Sequence, residues 1–220
     1  MLSPLKLDNM EEAYEMLMKH LQKGSKIYLC IDSDVDGYTS SALFYNYLMD
    51  HLKGDYDFTI DYHVPEGKEH GLRTLMNIFS PEKKWDLIVL PDSSSNDYEE
   101  HKELADMGYD ILVLDHHEAD HYSEFATVVN NQLSKEYKNK ALSGVGVVYK
   151  FFEYVDSRRD TGYAREYLDL VALGEISDMM NMETLENRLI CDYGLENINN
   201  KFFKSLVEKQ SFSLGTGPLT

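Results

Sequence analysis

Three short apolar runs, IYLCI at residues 27–31, LIVL at 87–90 and ILVL at 111–114, each lead directly or through a single proline into an aspartate. Their Ile, Val and Leu content suits strands buried on both faces, as in a parallel sheet. A fourth run, FTIDYHV at 58–64, alternates in the manner of a strand. Helical patterns separate them. Residues 11–22 place Tyr14, Leu17, Met18 and Leu21 on one face before Gly24, and residues 39–52 do the same with Leu43, Phe44, Tyr47, Leu48 and Leu52 before Gly54. A third helix is expected from Asp97, capping with Glu100 three positions on, to a stop at Gly108. The alternation predicts an α/β fold, a mainly parallel β-sheet flanked by helices, followed by a mostly helical C-terminal part.

That part begins after a polar loop, NNQLSKEYKNK, and holds the segments GVGVVYKFFEYV, REYLDLVALGEI and ETLENRLICDYGLENI. With 220 residues, 43% of them hydrophobic, there is material for one full core. The ending SFSLGTGPLT gathers Ser, Gly and Pro as linkers do. One domain is therefore expected over residues 1–208, and the start of a linker over 209–220.

Charge and cysteine usage narrow the function. Lys plus Arg is 21 against 39 Asp plus Glu, a formal net charge of −18, which argues against holding nucleic acid or anionic lipid by a broad basic surface. Any polyanionic substrate needs help from cations. Cys30 and Cys191 are too few for a disulfide scaffold and form no zinc-type cluster, so a reducing, cytoplasmic setting is expected. No stretch reaches signal-peptide or membrane-spanning character, and no membrane partner is expected.

The position of the acids carries the most information. The first strand runs into Asp32, Asp34 and Asp36, the third into Asp92, and the fourth into Asp115, His116 and His117. In a parallel sheet the carboxyl ends of the strands share one edge, where open α/β folds bind ligands. So many carboxylates there repel one another unless a cation sits among them. Oxygen ligands with one or two imidazoles and no cysteine suit Mn²⁺ or Mg²⁺, and two such ions suit phosphoryl chemistry.

Blander readings stand beside these. A single aspartate after a strand is as often a helix cap or turn former as a ligand, although three strands ending alike weaken that explanation. Cys30 reads as strand packing, and His63, His70 and His121 as loop or surface residues. Asp178 closes an apolar helix, where the dipole opposes an acid, and either a metal or solvent exposure accounts for it. In LSGVGVVYKFF, Ser143, Gly144 and Gly146 open a helix either for close packing or to present amides to a substrate phosphate.

In these motifs the chain resembles the DHH phosphoesterases, and among them the RecJ type of single-strand exonuclease. Asp32-Ser-Asp34-Val-Asp36-Gly37 is similar to that family's first motif, Asp92 after LIVLP to its second, Asp115-His116-His117 to its third, and Gly174-Glu-Ile-Ser-Asp178 to its fourth. Similarity extends through LSGVGVVYK and ENRLICDYGLENI, covering roughly residues 26–200. The resemblance implies two Mn²⁺ or Mg²⁺ ions bridged by Asp92. Asp34 with Asp32 would complete one, and Asp36, His116 and Asp178 the other. It implies that His117 faces the substrate phosphate and that Asp115 orients the site from behind. Small-molecule phosphatases of the family have a histidine where this chain has Cys30, so that role falls to Asp32 or goes unfilled. Many relatives have a glycine where this chain reads Ser93-Ser94-Ser95.

The function expected from the resemblance is 5′ to 3′ hydrolysis of single-stranded DNA or a short oligonucleotide. The family's second, substrate-binding domain, with its Gly-Gly-His motif, is not found in these residues, and GTGPLT resembles the start of the linker to it. Two alternatives are carried. One is a small-substrate phosphoesterase acting on an oligonucleotide, a cyclic dinucleotide or pyrophosphate, which the charge of −18 favours. The other is an inactive scaffold among replication or repair proteins, which the complete set of expected ligands disfavours.

Overall fold

In the computed structural model, which describes residues 1–65, 67, 70–82 and 84–214, the apolar runs become β1 (Lys26–Cys30), β3 (Leu87–Pro91) and β4 (Asp110–Asp115), with β2 at Thr59–His63. A fifth strand, β5 (Thr127–Asn130), has no counterpart in the sequence expectations, because TVVN is too short and too closely flanked by Asn to show a period. All pairings are parallel, and the order is β2-β1-β3-β4-β5. The strands β1 and β3 are neighbours although β2 separates them in sequence. Their carboxyl ends therefore lie at the point where the strand order reverses, the usual ligand crevice of a doubly wound sheet.

Alternate strand residues feed two cores. Ile27, Leu29, Leu87, Val89, Leu112 and Leu114 pack on one face against α1 (Met10–Lys23), α2 (Val35–Tyr47) and α4 (Gly144–Arg159). Tyr28, Cys30, Ile88, Leu90, Ile111 and Val113 pack on the other against α3 (Tyr98–Asp106) and a 3₁₀ segment at Leu72–Ile78. Cys30 is thus a core residue. Helices α5 (Leu168–Ser177), α6 (Leu185–Glu196) and α7 (Lys201–Leu214) complete the C-terminal part. The helix α7 runs through 209–214 of the expected linker, and residues 215–220 of that expectation lie outside the described residues.

Two local expectations change. The helix expected from residue 39 starts at Val35, because the Asp34 carboxylate caps it through the Gly37 amide. The loop after β5 is polar, yet Asn131, Ser134, Tyr137 and Asn139 are buried in it. Tyr137 is fully buried and donates to Glu186 Oε2 at 2.9 Å, while Glu186 Oε1 lies 2.9 Å from the buried Lys150 ammonium. A charge taken out of water needs such a partner, and this pair fastens α4 to α6. Among the described residues no helix is long and apolar enough to cross a membrane.

Candidate metal centre

Each strand end delivers its acid by a local device. After β3 the chain turns sharply, with Asp92 at φ 63 and Ser94 at φ 77, backbone values that non-glycine residues seldom hold. The second of these falls within the Ser93-Ser94-Ser95 departure. The Asp92 amide remains tied to the sheet by Leu114 O at 2.8 Å, so the turn throws the side chain inward. After β4, Asp115 accepts from the backbone amides of Ser95, His116 and His117 at 3.0, 2.7 and 3.2 Å, and from His117 Nδ1 at 2.7 Å. After β1, Asp36 reaches the amino end of α4 and accepts from Gly144 N at 2.7 Å and Val145 N at 2.9 Å.

These devices bring His116 Nε2 to 3.3 Å from Asp92, 3.6 Å from Asp178 and 3.8 Å from Asp36. Ligand atoms of Asp36, His116 and Asp178 lie within 4.8 Å of one another; so do those of Asp32, Asp34 and Asp92, and those of Asp92, His116 and His117. The acids and histidines from three strand ends and α5 therefore occupy one place, with Asp92 between the two carboxylate groups. Asp178 sits at the C-cap of α5 with its side chain partly exposed.

Crowding raises the proton affinity of the inner acids. Burial, with repulsion from Asp36, Asp115 and Asp34, pushes the Asp92 carboxyl well above the usual carboxylate range. Burial also raises Asp36 and Asp32. Asp115 moves the other way. Burial opposes its charge, but the His117 and Ser95 hydrogen bonds and the nearby imidazoles outweigh that and hold it far below the usual range. The same hydrogen bond to Asp115 lifts His117 to about 9.

At the amino terminus of α4 the groups that could have met a phosphate have protein partners. Ser143, Gly144 and Gly146 are buried, and their donors are occupied: Ser143 N and Oγ by Glu175 Oε1, Gly144 N by Asp36, and Gly146 N by Ser143 Oγ. Of the two readings open for these residues, close packing is what the geometry matches. A Cβ on Gly144 would stand 2.1 Å from Asp92 Oδ1, and one on Gly174 would stand 2.6 Å from Asp36 Oδ1. The glycines let α4 and α5 approach the carboxylates.

One contact escaped the sequence reading. His70, expected as a loop or surface residue, is exposed and outside any helix or strand, and it also places Nδ1 2.9 Å from both oxygens of Asp32, with its ring centroid 5.6 Å from that of His117. Asp97 holds its loop in place. Rather than capping α3, its carboxylate accepts from Leu72 N at 2.8 Å, just past His70-Gly71. No local period marks such a residue; the following glycine, with φ 72, was the only signal in the sequence. His121, by contrast, stacks on Tyr98.

The description of the DHH family, N-terminal domain, matches residues 26–175. The chain is 41% identical over 208 residues to a putative SPbeta prophage-derived single-strand DNA-specific exonuclease YorK of Bacillus subtilis, covering 94% of this chain and 35% of that protein. It is 29% identical to the single-stranded-DNA-specific exonuclease RecJ of the same organism, covering 96% of this chain and 27% of that one. Among solved structures it is similar to exonuclease RecJ bound to manganese, with a TM-score of 0.81 at 26% identity, covering 98% of this chain and 55% of that one. The chain thus spans about a third of the length of the curated relatives it matches.

Proposed function

The chain belongs to the DHH family, and from that premise we propose that it is a two-metal phosphodiesterase that hydrolyses single-stranded DNA from the 5′ end. The observation that carries the reading is Asp92. Its carboxylate is 1% exposed and neither oxygen has a hydrogen-bond partner, with the carboxylates of Asp32 and Asp34 and the imidazoles of His116 and His117 close around it. A buried unsatisfied carboxylate in like-charged company is costly unless a cation is there. The donor set of oxygens and imidazole, with both cysteines elsewhere in the core, fits Mn²⁺ or Mg²⁺.

Asp36, His116 and Asp178 would hold one ion, Asp32 and Asp34 the other, and Asp92 both. Bound there, the ions would supply an acidified water and neutralise charge developing on the phosphate. The remaining residues have roles set by their contacts. Asp115 accepts a hydrogen bond from His117 Nδ1, which keeps the imidazole in one orientation. That bond raises the His117 pKa, and Nε2 is the ring atom available to meet a phosphate oxygen. The names of YorK and RecJ as single-strand DNA exonucleases support the choice of substrate.

The test is incubation with Mn²⁺ and, in parallel, 5′-end-labelled single-stranded DNA, duplex DNA, a dinucleotide and pyrophosphate. Release of the 5′ label from the single strand is expected, with duplex resisting. Turnover confined to pyrophosphate or to the dinucleotide would replace this reading with the small-substrate one.

A further inference from the structure

Beside the carboxylate cluster runs a concavity of about 220 Å³ with no charged residue in its lining. Its wall is the face of α2 that carries Tyr38, Ser41, Ala42 and Tyr45, at spacings that share one side of a helix. Its floor is Leu29 and Ile31 of the first strand and its exit, and its far side is Tyr62 on the edge strand β2. Leu29 and Tyr62 are register partners, so both project toward α2. Ser41 and Ala42 keep the middle shallow while the tyrosines rise around it. Tyr38 is 41% and Tyr62 53% exposed, and the Tyr45 and Tyr62 rings meet edge to face at 5.6 Å.

The groove adjoins the strand exit that carries the first acids: Ile31 in its floor immediately precedes Asp32, and Tyr38 in its wall lies in the first turn of α2, just after the Asp34 cap. That placement sets the groove beside the path of a strand whose phosphate lies among the acids. Besides the tyrosines the lining offers polar side chains only at Ser41 and Asn46, and it has no Lys, Arg, Asp or Glu to favour a free phosphate or a cation. Exposed aromatic faces in an uncharged cleft suit a planar apolar ring, and stacking of bases on aromatic side chains is the contact single-strand binders use irrespective of sequence. In a chain of net charge −18 long-range attraction for the phosphate backbone is weak, so stacking adds affinity that the surface charge does not.

We propose that the Tyr38, Tyr45 and Tyr62 groove is a nucleobase subsite that stacks a base of the strand being cut. The inference rests on the reading of the adjacent cluster as a phosphodiesterase centre. It separates substrates that carry bases from pyrophosphate, which has nothing to place there.

The experiment uses the 220-residue chain with Mn²⁺ and oligonucleotides that carry either intact bases or abasic residues near the 5′ end. Tyr38→Ala and Tyr62→Ala should each raise KM for the intact strand about tenfold, with kcat little changed, and Tyr→Phe at either position should restore it. With the abasic strand the wild type should already show the raised KM, and the alanine variants should add little to it. An equal penalty on both strands, or no change in KM with unchanged melting temperature, would overturn the proposal. A separate readout removes dependence on turnover. An oligonucleotide carrying 2-aminopurine near its 5′ end should be quenched by the wild type and not by the double alanine variant. Cleavage without quenching defeats the groove alone, whereas quenching without metal-dependent cleavage defeats the phosphodiesterase reading alone.

Discussion

Strand β4 begins and ends with an aspartate, and the two ends of the sheet treat such acids differently. At the amino edge Asp110 lies 2.9 Å from Lys19 Nζ and 2.8 Å from His20 Nε2, and although burial works against its charge, these partners hold its pKa below the usual range. Nearby, Asp86 accepts from the Lys26 amide at 2.8 Å. At the carboxyl edge every ion pair of Asp32, Asp36, Asp92, Asp115 and Asp178 among the described residues is to a histidine. One edge is closed by its own cations. The other is left in need of an external one, which is the condition of a binding site rather than of a stability device.

The largest expected effect breaks that contrast at its centre. Asp92→Asn should take cleavage to background and erase stabilisation by Mn²⁺, which for the wild type at a hundredfold excess over Kd amounts to about 2.7 kcal/mol. In EDTA the variant should melt at or above the wild type, because one member of a repelling group has lost its charge. Thermal melts with and without Mn²⁺ decide this, and a variant that keeps the metal shift refutes it.

Asp115 is the carboxyl-edge acid with the fullest set of protein donors, three backbone amides and the His117 ring. Asp115→Ala should therefore destabilise even the metal-free chain, by about 3 kcal/mol or more, since it strands three backbone amides and the His117 proton. Urea unfolding in EDTA measures it. A loss under about 1 kcal/mol would place Asp115 with the metal-dependent acids instead.

For His70 the expected change is in rate, not fold. His70→Ala should lower kcat/KM by about 10- to 100-fold with an unchanged melting temperature, as befits a residue that orients a ligand through Asp32. Asp97→Ala should shift kinetics in the same direction and less, through the Leu72 amide. Wild-type kinetics in both would detach this loop from the site.

A pH titration sharpens the role of the His117–Asp115 pair. The folded pKa of His117, about 9, lies above its usual value near 6.5, so its contribution to stability is complete below about 6.5 and fades as pH rises through about 9. Partial exposure to solvent reduces its size. In metal-free buffer the wild type should lose stability over that window, and His117→Gln should lose less; parallel curves would contradict the assignment.

The smallest effect belongs to the amino edge. Asp110→Asn should cost about 1 kcal/mol and leave cleavage and the Mn²⁺ shift untouched, because Asp110 and Lys19 face solvent and only His20 among its partners is buried. A changed rate would show that the two edges are coupled.

Much of this was legible before any coordinates. Strand periodicity and the residue that follows each strand are local properties. Once a sheet is parallel, topology alone sends Asp32, Asp92 and Asp115 to one edge, and an Asp-His-His string after a buried strand keeps its chemistry wherever the chain goes. The resemblance to the DHH phosphoesterases rested on the same local strings. What remained out of reach depends on partners remote in sequence. Gly144 donates to Asp36 across 108 residues, a partner that local spacing, which left close packing and a phosphate open, could not pick out. Asp97 left its own helix to hold the turn beyond His70, 25 residues upstream, and Glu186 drew a polar loop into the interior through Tyr137. The order in which β1 and β3 become neighbours, the unbonded state of Asp92 and the tyrosine groove between α2 and β2 likewise belong to the tertiary structure. Residue type and spacing determine which face or end of an element a side chain occupies, whereas its hydrogen-bond partner is chosen by whichever distant backbone the packed core brings within about 3 Å.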